Sequence, residues 1–166
     1  ANCQFCISTA FGYDMIPHVF RRPVIFLGSP MGLLNTYSPK YLLLSKHYVD
    51  KITNKHLTLS EIFKKKLAFA QNINDFKNMN VELLDCSKDE IKDATIEMIE
   101  LIENNFEFKF NHRTVENSQR FWDLYLSFFI DKKYFNEPFL KYSKIHGEVF
   151  AKISPNFLLK NQNLLN

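Results

Sequence analysis

Ser8, Thr9, Gly12, Tyr13 and Asp14 lie in the stretch STAFGYD, between an apolar run and a helix-like segment. Two hydroxyls can donate hydrogen bonds, and a glycine lets the backbone approach a ligand. The first amides of a helix are unpaired and carry partial positive charge. At the end of a buried parallel strand, that combination suits an anion, phosphate oxygens in particular. The spelling matches no fixed phosphate motif: no Gly-Lys-Ser/Thr follows, and the glycines do not read G-x-G-x-x-G. The alternative for the same residues is a tight strand-to-helix turn that needs Gly12 for its backbone alone.

Other residues offer charge or acid–base chemistry. Asp14 can contact a sugar hydroxyl, or it can serve the helix start as a favourably placed acid. Arg21 and Arg22 can neutralise a diphosphate, although the last turn of a helix suits them equally and lies far from the turn at Gly12. Lys40 and Lys46 flank an extended segment, where each can meet a phosphate as a point charge or stand as a surface lysine. His146, in His146-Gly147-Glu148, can hydrogen-bond a phosphate or transfer protons; a structural turn is the alternative. Cys3-Gln4-Phe5-Cys6 spells C-x-x-C, but a zinc site wants a second pair and Cys86 stands alone. A redox pair opens a helix, whereas this one runs into an apparent strand. Three cysteines read as reduced thiols, and the histidines show no metal spacing, so no metal site is expected.

The elements that must position these residues follow from local signals. Phe5–Ser8 reads as a buried strand, Thr9–Gly12 as a turn, and Tyr13–Phe20 as a helix kinked at Pro17, with Met15, Ile16, Val19 and Phe20 turned inward. Pro23 stops it and Val24–Leu27 is a second buried strand, so the unit is strand, helix, parallel strand. Gly28–Lys40 is a loop, Tyr41–Leu44 a third extended segment, and Lys46–Lys55 a polar loop. Capping boxes at Thr58/Glu61 and Ser87/Glu90 open helices to about Phe69 and Glu103. Asn72–Asn80 is a short helix or turn and Val81–Leu84 a strand. The second capped helix carries Ile91, Thr95, Met98 and Ile102 on one face, with Asp93, Glu97 and Glu100 turned out. Thr114 caps a helix over Val115–Ile130 whose Phe121, Trp122, Tyr125 and Phe129 read as core. Ser154-Pro155 opens a terminal helix.

Composition sets the outer bounds. At 166 residues the chain suffices for one domain with a real core, and at 46% hydrophobic and 23% charged it is not a disordered sequence. The net charge of +3 comes from scattered lysines and arginines and does not call for nucleic acid. No apolar run approaches the roughly 20 residues of a membrane helix. Lys64-Lys65-Lys66 reads as a solvated face, with a membrane-surface role as the alternative. Ala1 opens almost directly into a strand without an initiator Met, which suggests a fragment.

ISTAFGYDMIPHVFRRPVIF resembles the donor-side segment of GT-B glycosyltransferases. More closely, it is similar to a family of glycosyltransferases encoded in bacterial surface-polysaccharide gene clusters. The likeness continues through PMGLLNTYSPKYLLLSKHY, LTLSEIF, VELLDCSKDEIKDATIEM and QRFWDLY to HGEVFAKISPNFLLKN, and is weakest over 104–117 and 131–143. It implies an α/β fold: the Rossmann-like half of a GT-B fold, a short, mainly parallel sheet with flanking helices and a helical C-terminal part. Residues 1–166 would form a single C-terminal, donor-binding domain that lacks its N-terminal domain. By this likeness Ser8, Thr9, Gly12, Tyr13 and Asp14 match the donor-site turn, and Arg22-Pro23 the return to the next strand. Phe11 departs from the small or hydroxyl residue expected before the glycine, which counts against it as a phosphate contact.

The resemblance implies transfer of a sugar from a nucleotide-diphospho-sugar to a surface glycan, without a further cofactor. Its expected partners are the nucleotide sugar, the glycan acceptor and the missing domain, with peripheral membrane contact and no nucleic acid. Its expected place is the cytoplasm, at the inner face of the membrane. The fragment alone would be half an active site. Two alternatives remain at this stage: a nucleotide-sugar epimerase on the same fold, and a non-catalytic α/β binding domain.

Overall fold

The computed structural model describes residues 3–9, 12, 15–34, 37–70, 72–107, 112–130 and 151–166. Two apolar runs organise it. VIFLGS forms β2 (Val24–Ser29) and YLLLS forms β3 (Tyr41–Ser45). Val24, Ile25, Phe26, Leu42, Leu43 and Leu44 are all buried. Unbroken apolar runs of this kind suit strands covered on both faces, as in parallel sheets. β1 (Cys6–Ser8) flanks β2, and β7 (Lys152–Ile153) flanks β3. The sheet order is β1-β2-β3-β7 with every pairing parallel. Cys6 stands opposite Val24 and Val24 opposite Tyr41, so the strand starts share one edge and the strand ends the other. The α/β class with a mainly parallel sheet is therefore as expected.

The polar segment after β3 is not a loop. His47–Asp50 is β4 and Lys55–His56 is β5, an antiparallel hairpin completed by β6 (Val81–Leu84) in the order β5-β4-β6. Its polar residues hid it: Tyr48 and Val49 are buried, while Asp50 caps the turn, accepting the amides of Ile52 and Thr53 at 2.9 Å. Both capping boxes form as read. Thr58 opens α2 (Leu59–Lys64), and Ser87 opens α4 (Lys88–Glu103). The first helix is shorter than expected; Lys66 takes a left-handed φ of 59°, and a 3-10 turn follows at Leu67–Phe69. α3 (Ile73–Asn78), α5 (His112–Ile130) and α6 (Pro155–Lys160) complete the set. Phe121, Trp122 and Tyr125 of α5 are core, as their helical spacing indicated.

α1 (Met15–Val19) is rotated from the expected setting. Met15, Ile16, Val19 and Phe20 are 50%, 55%, 71% and 63% exposed, while Pro17 is buried. The anchor is His18, whose Nδ1 hydrogen-bonds the Tyr41 hydroxyl and whose ring meets Tyr37 edge-on at 5.1 Å. Pro17 is the third residue of the helix, a first-turn position whose amide has no intrahelical partner, so it causes no break. The helix closes with Arg21 N–H on His18 O at 2.9 Å and Arg22 N–H on Pro17 O at 2.8 Å, with Arg21 left-handed at φ 53°. That is the Schellman pattern.

Candidate functional site

In parallel α/β sheets ligands gather where strands end, because the crossovers leave a crevice there and helix starts face it. The register makes that edge explicit: Ser8 ends β1, Ser29 ends β2 and Ser45 ends β3. Beyond Ser8 lie Thr9 and Gly12. Gly12 has φ +93°, and no atom lies within 4 Å of where its Cβ would stand. Its carbonyl accepts the Met15 amide at 3.2 Å, which starts α1. The left-handed φ thus favours a glycine here. Phe11, Tyr13, Asp14 and His146 lie outside the described residues.

β2 and β3 bring further polar groups to this edge. The β2–β3 register shifts between Phe26 and Ser29, and Gly28 takes φ +64° there. Ser29 is 1% exposed, and its hydroxyl has no hydrogen-bond partner. Such an orphan is unusual, since buried hydroxyls nearly always find one. Ser45 donates to the Lys46 carbonyl at 3.1 Å, and the Cys86 thiol to the Ser45 carbonyl at 3.4 Å. Burial first, then the Glu90 charge, pushes the Cys86 thiol up to about 11, so it is no ready nucleophile. The Lys46 side chain lies against Gly28 and forms an ion pair with Asp85.

Behind this edge sits a second polar cluster. Glu90 Oε2 accepts the Ser87 amide at 2.7 Å, the Ser87 hydroxyl at 2.9 Å and His47 Nε2 at 3.0 Å, and Oε1 accepts Asn161 Nδ2 at 2.9 Å. Burial works against ionisation, but these bonds together outweigh it and hold the carboxyl down to about 2. His56 meets the His47 ring edge-on at 5.2 Å; burial, then the neighbouring His47, lowers its pKa. The network joins the start of α4, β4 and the end of α6, so its first task is structural.

Arg22 and Lys40 stand at the opposite edge. Pro23, next to Arg22, offers its carbonyl to the Cys6 amide, and Lys40 offers its carbonyl to the Val24 amide, both at strand starts. The Lys40 ammonium donates to the Arg21 carbonyl at 3.4 Å and stands 5.7 Å from the centre of the Phe106 ring. The fold therefore gathers Ser8, Thr9 and Gly12 at one edge and does not bring Arg22 or Lys40 to them. Sequence reasoning did not single out Ser29 or Asp85. Gly28-Ser29-Pro30 directly after a buried strand, and Asp85 between a strand and a capping box, are the signals that could have marked them. A separate polar hollow of about 320 Å³, lined by Glu116, Asn117, Arg120, Gln162, Leu165 and Asn166, shares no residue with this edge.

Among the described residues no group of three or more His, Cys, Asp or Glu could hold a metal ion, and no helix is long and apolar enough to cross a membrane. No family model, no curated protein and no solved structure matches the chain.

Proposed function

We propose that the chain is the nucleotide-sugar-binding part of a GT-B-like glycosyltransferase. The observation that carries this reading is the β1–α1–β2 unit: a parallel strand pair with Ser8, Thr9 and a left-handed Gly12 following the end of the first strand. The hydroxyls and the turn backbone would hold the diphosphate of the donor. Leaving-group charge grows there as the glycosidic bond to phosphate breaks, and fixed donors aimed at growing charge lower the barrier. On this reading a further domain supplies the acceptor side, the acceptor is a surface glycan, and the work is done in the cytoplasm at the inner face of the membrane.

Calorimetric titration with UDP, GDP and their sugar conjugates tests it. Saturable binding is expected, weakened by Ser8→Ala together with Thr9→Ala while the melting temperature holds. Absence of binding to every nucleoside diphosphate, or a loss explained by unfolding alone, overturns it. Conversion of a donor sugar without any acceptor would point to an epimerase instead.

A further inference from the structure

A diphosphate at this edge needs a counter-charge, and the structure offers one. Lys46 follows the last residue of β3, and its side chain crosses onto β2. A Cβ on Gly28 would stand 3.3 Å from Lys46 Cγ, 3.7 Å from Cε and 3.9 Å from Nζ. Gly28 lies two positions past Phe26, the partner of Ser8 in the register. The crossing therefore lies at the strand-end edge of the sheet, the edge at which Ser8 ends β1. A Cβ at position 28 would press on Lys46 Cγ by a few tenths of an ångström, and the φ of +64° favours glycine there in any case. Next to Gly28 in the chain is Ser29, whose buried hydroxyl has no partner.

Lys46 is not idle. Its ammonium pairs with Asp85, on the segment after β6. The two differ in setting: the Lys46 side chain is 30% exposed and that of Asp85 84%. A cation packed over backbone keeps its place, whereas a carboxylate so open to water leaves a partner easily, because exposed ion pairs hold weakly. A diphosphate carries more negative charge than one carboxylate and competes for the same ammonium.

The geometry points to Lys46 as the phosphate-binding cation of this edge and to Asp85 as its resident counter-ion, displaced when the diphosphate of the donor arrives. The inference rests on the donor-binding reading above, and it adds a gate to it. In the empty protein Asp85 satisfies Lys46; in the bound protein Asp85 is released to water. Selectivity follows, since a nucleoside or a monophosphate brings less charge to the exchange than a diphosphate does.

The test is calorimetry of the wild-type protein, Lys46→Met and Asp85→Asn with UDP, GDP and inorganic pyrophosphate, each variant checked by thermal melting. Lys46→Met should weaken diphosphate and pyrophosphate binding by about tenfold or more, the worth of one charge-assisted contact. Asp85→Asn should tighten both, because the competitor is gone. Binding by Lys46→Met within about twofold of wild type overturns the inference while the donor reading stands. Weaker binding by Asp85→Asn overturns the gate, since Asp85 would then be positioning Lys46 rather than competing with the ligand. If wild type binds neither nucleoside diphosphate nor pyrophosphate, both readings fall.

Discussion

Glu97 of α4 accepts the Ser154 hydroxyl at 2.5 Å and the Asn156 amide at 2.7 Å, and so closes the amino end of α6. Two turns earlier on the same helix, Glu90 accepts Asn161 Nδ2 at 2.9 Å and closes the other end. Between them Asp93 pairs with Lys160 at 2.5 Å. One face of α4 thus brackets α6, antiparallel, with three carboxylates. The two buried ones are held in opposite electrostatic states, and they separate experimentally.

Burial raises the Glu97 carboxyl to about 7, against the pull of its two hydrogen bonds and with help from the nearby Asp93 and Glu100 charges. A carboxyl raised on folding binds its proton more tightly in the folded state. Its contribution is complete below the ordinary carboxylate range and is lost as pH rises from about 4.5 to about 7. Denaturant unfolding at pH 5 and pH 8 should show wild type losing up to about 3 kcal/mol relative to Glu97→Gln across that window. A pH-independent difference would mean that Glu97 is ionised throughout.

Glu90→Gln should behave in the opposite way. All four hydrogen bonds to its carboxylate come from donors, and an amide replaces one acceptor oxygen with a fifth donor. A loss of about 2–4 kcal/mol at pH 7 is expected. Because the folded pKa is depressed, the wild-type advantage is full above the ordinary carboxylate range and fades as pH falls from about 4.5 toward 2. Equal stability of the two proteins at pH 7 would contradict the network.

Gly32 and Gly12 should answer alanine differently. At Gly32 a Cβ would stand 2.4 Å from Phe69 Cε1 and 2.6 Å from the Ala68 carbonyl, so backbone must move. Gly32→Ala should cost about 1–3 kcal/mol in thermal or denaturant unfolding, as overpacking does. At Gly12 nothing is struck, and the penalty is the left-handed φ alone, about 1–2 kcal/mol. Gly12→Ala should therefore stay folded and serve in titrations with nucleoside diphosphates. A larger loss at Gly12 than at Gly32 would reverse this account.

The outward face of α1 makes a fourth case. Val19→Ser and Phe20→Ser should each change stability by no more than about 0.5 kcal/mol, since both residues are mostly exposed. A cost of about 3 kcal/mol, that of a truncated core aromatic, would show Phe20 buried in solution.

Which features could be read from the chain depends on the range of the interaction. Thr58/Glu61, Ser87/Glu90 and Ser154-Pro155 are caps within a few residues, and each forms as the sequence indicates. The buried runs at Val24 and Tyr41 needed no partner to be recognised as strands. Of the candidate site, the backbone need at Gly12 was legible because a glycine after an apolar run is itself a local signal, and its φ is +93°. The face of α1 was not: its apolar spacing promised burial, but His18 bonding Tyr41, 23 positions on, turned that face outward. Glu97 looked like a solvent residue on a helix, and its partners lie 57 and 59 positions further along.

The sequence by itself determined the α/β alternation and the helix caps at Thr58, Ser87 and Ser154, because capping and strand burial act between near neighbours. Thr114, read as a cap, lies instead inside a helix that starts at His112. Tertiary structure alone decided which edge each cation occupies. Arg22 and Lys40 precede strands and Lys46 follows one; parallel pairing carries the first two to one edge of the sheet and the third to the other. The physical reason is that all four strands point the same way, so a residue's place before or after its strand becomes its place in space.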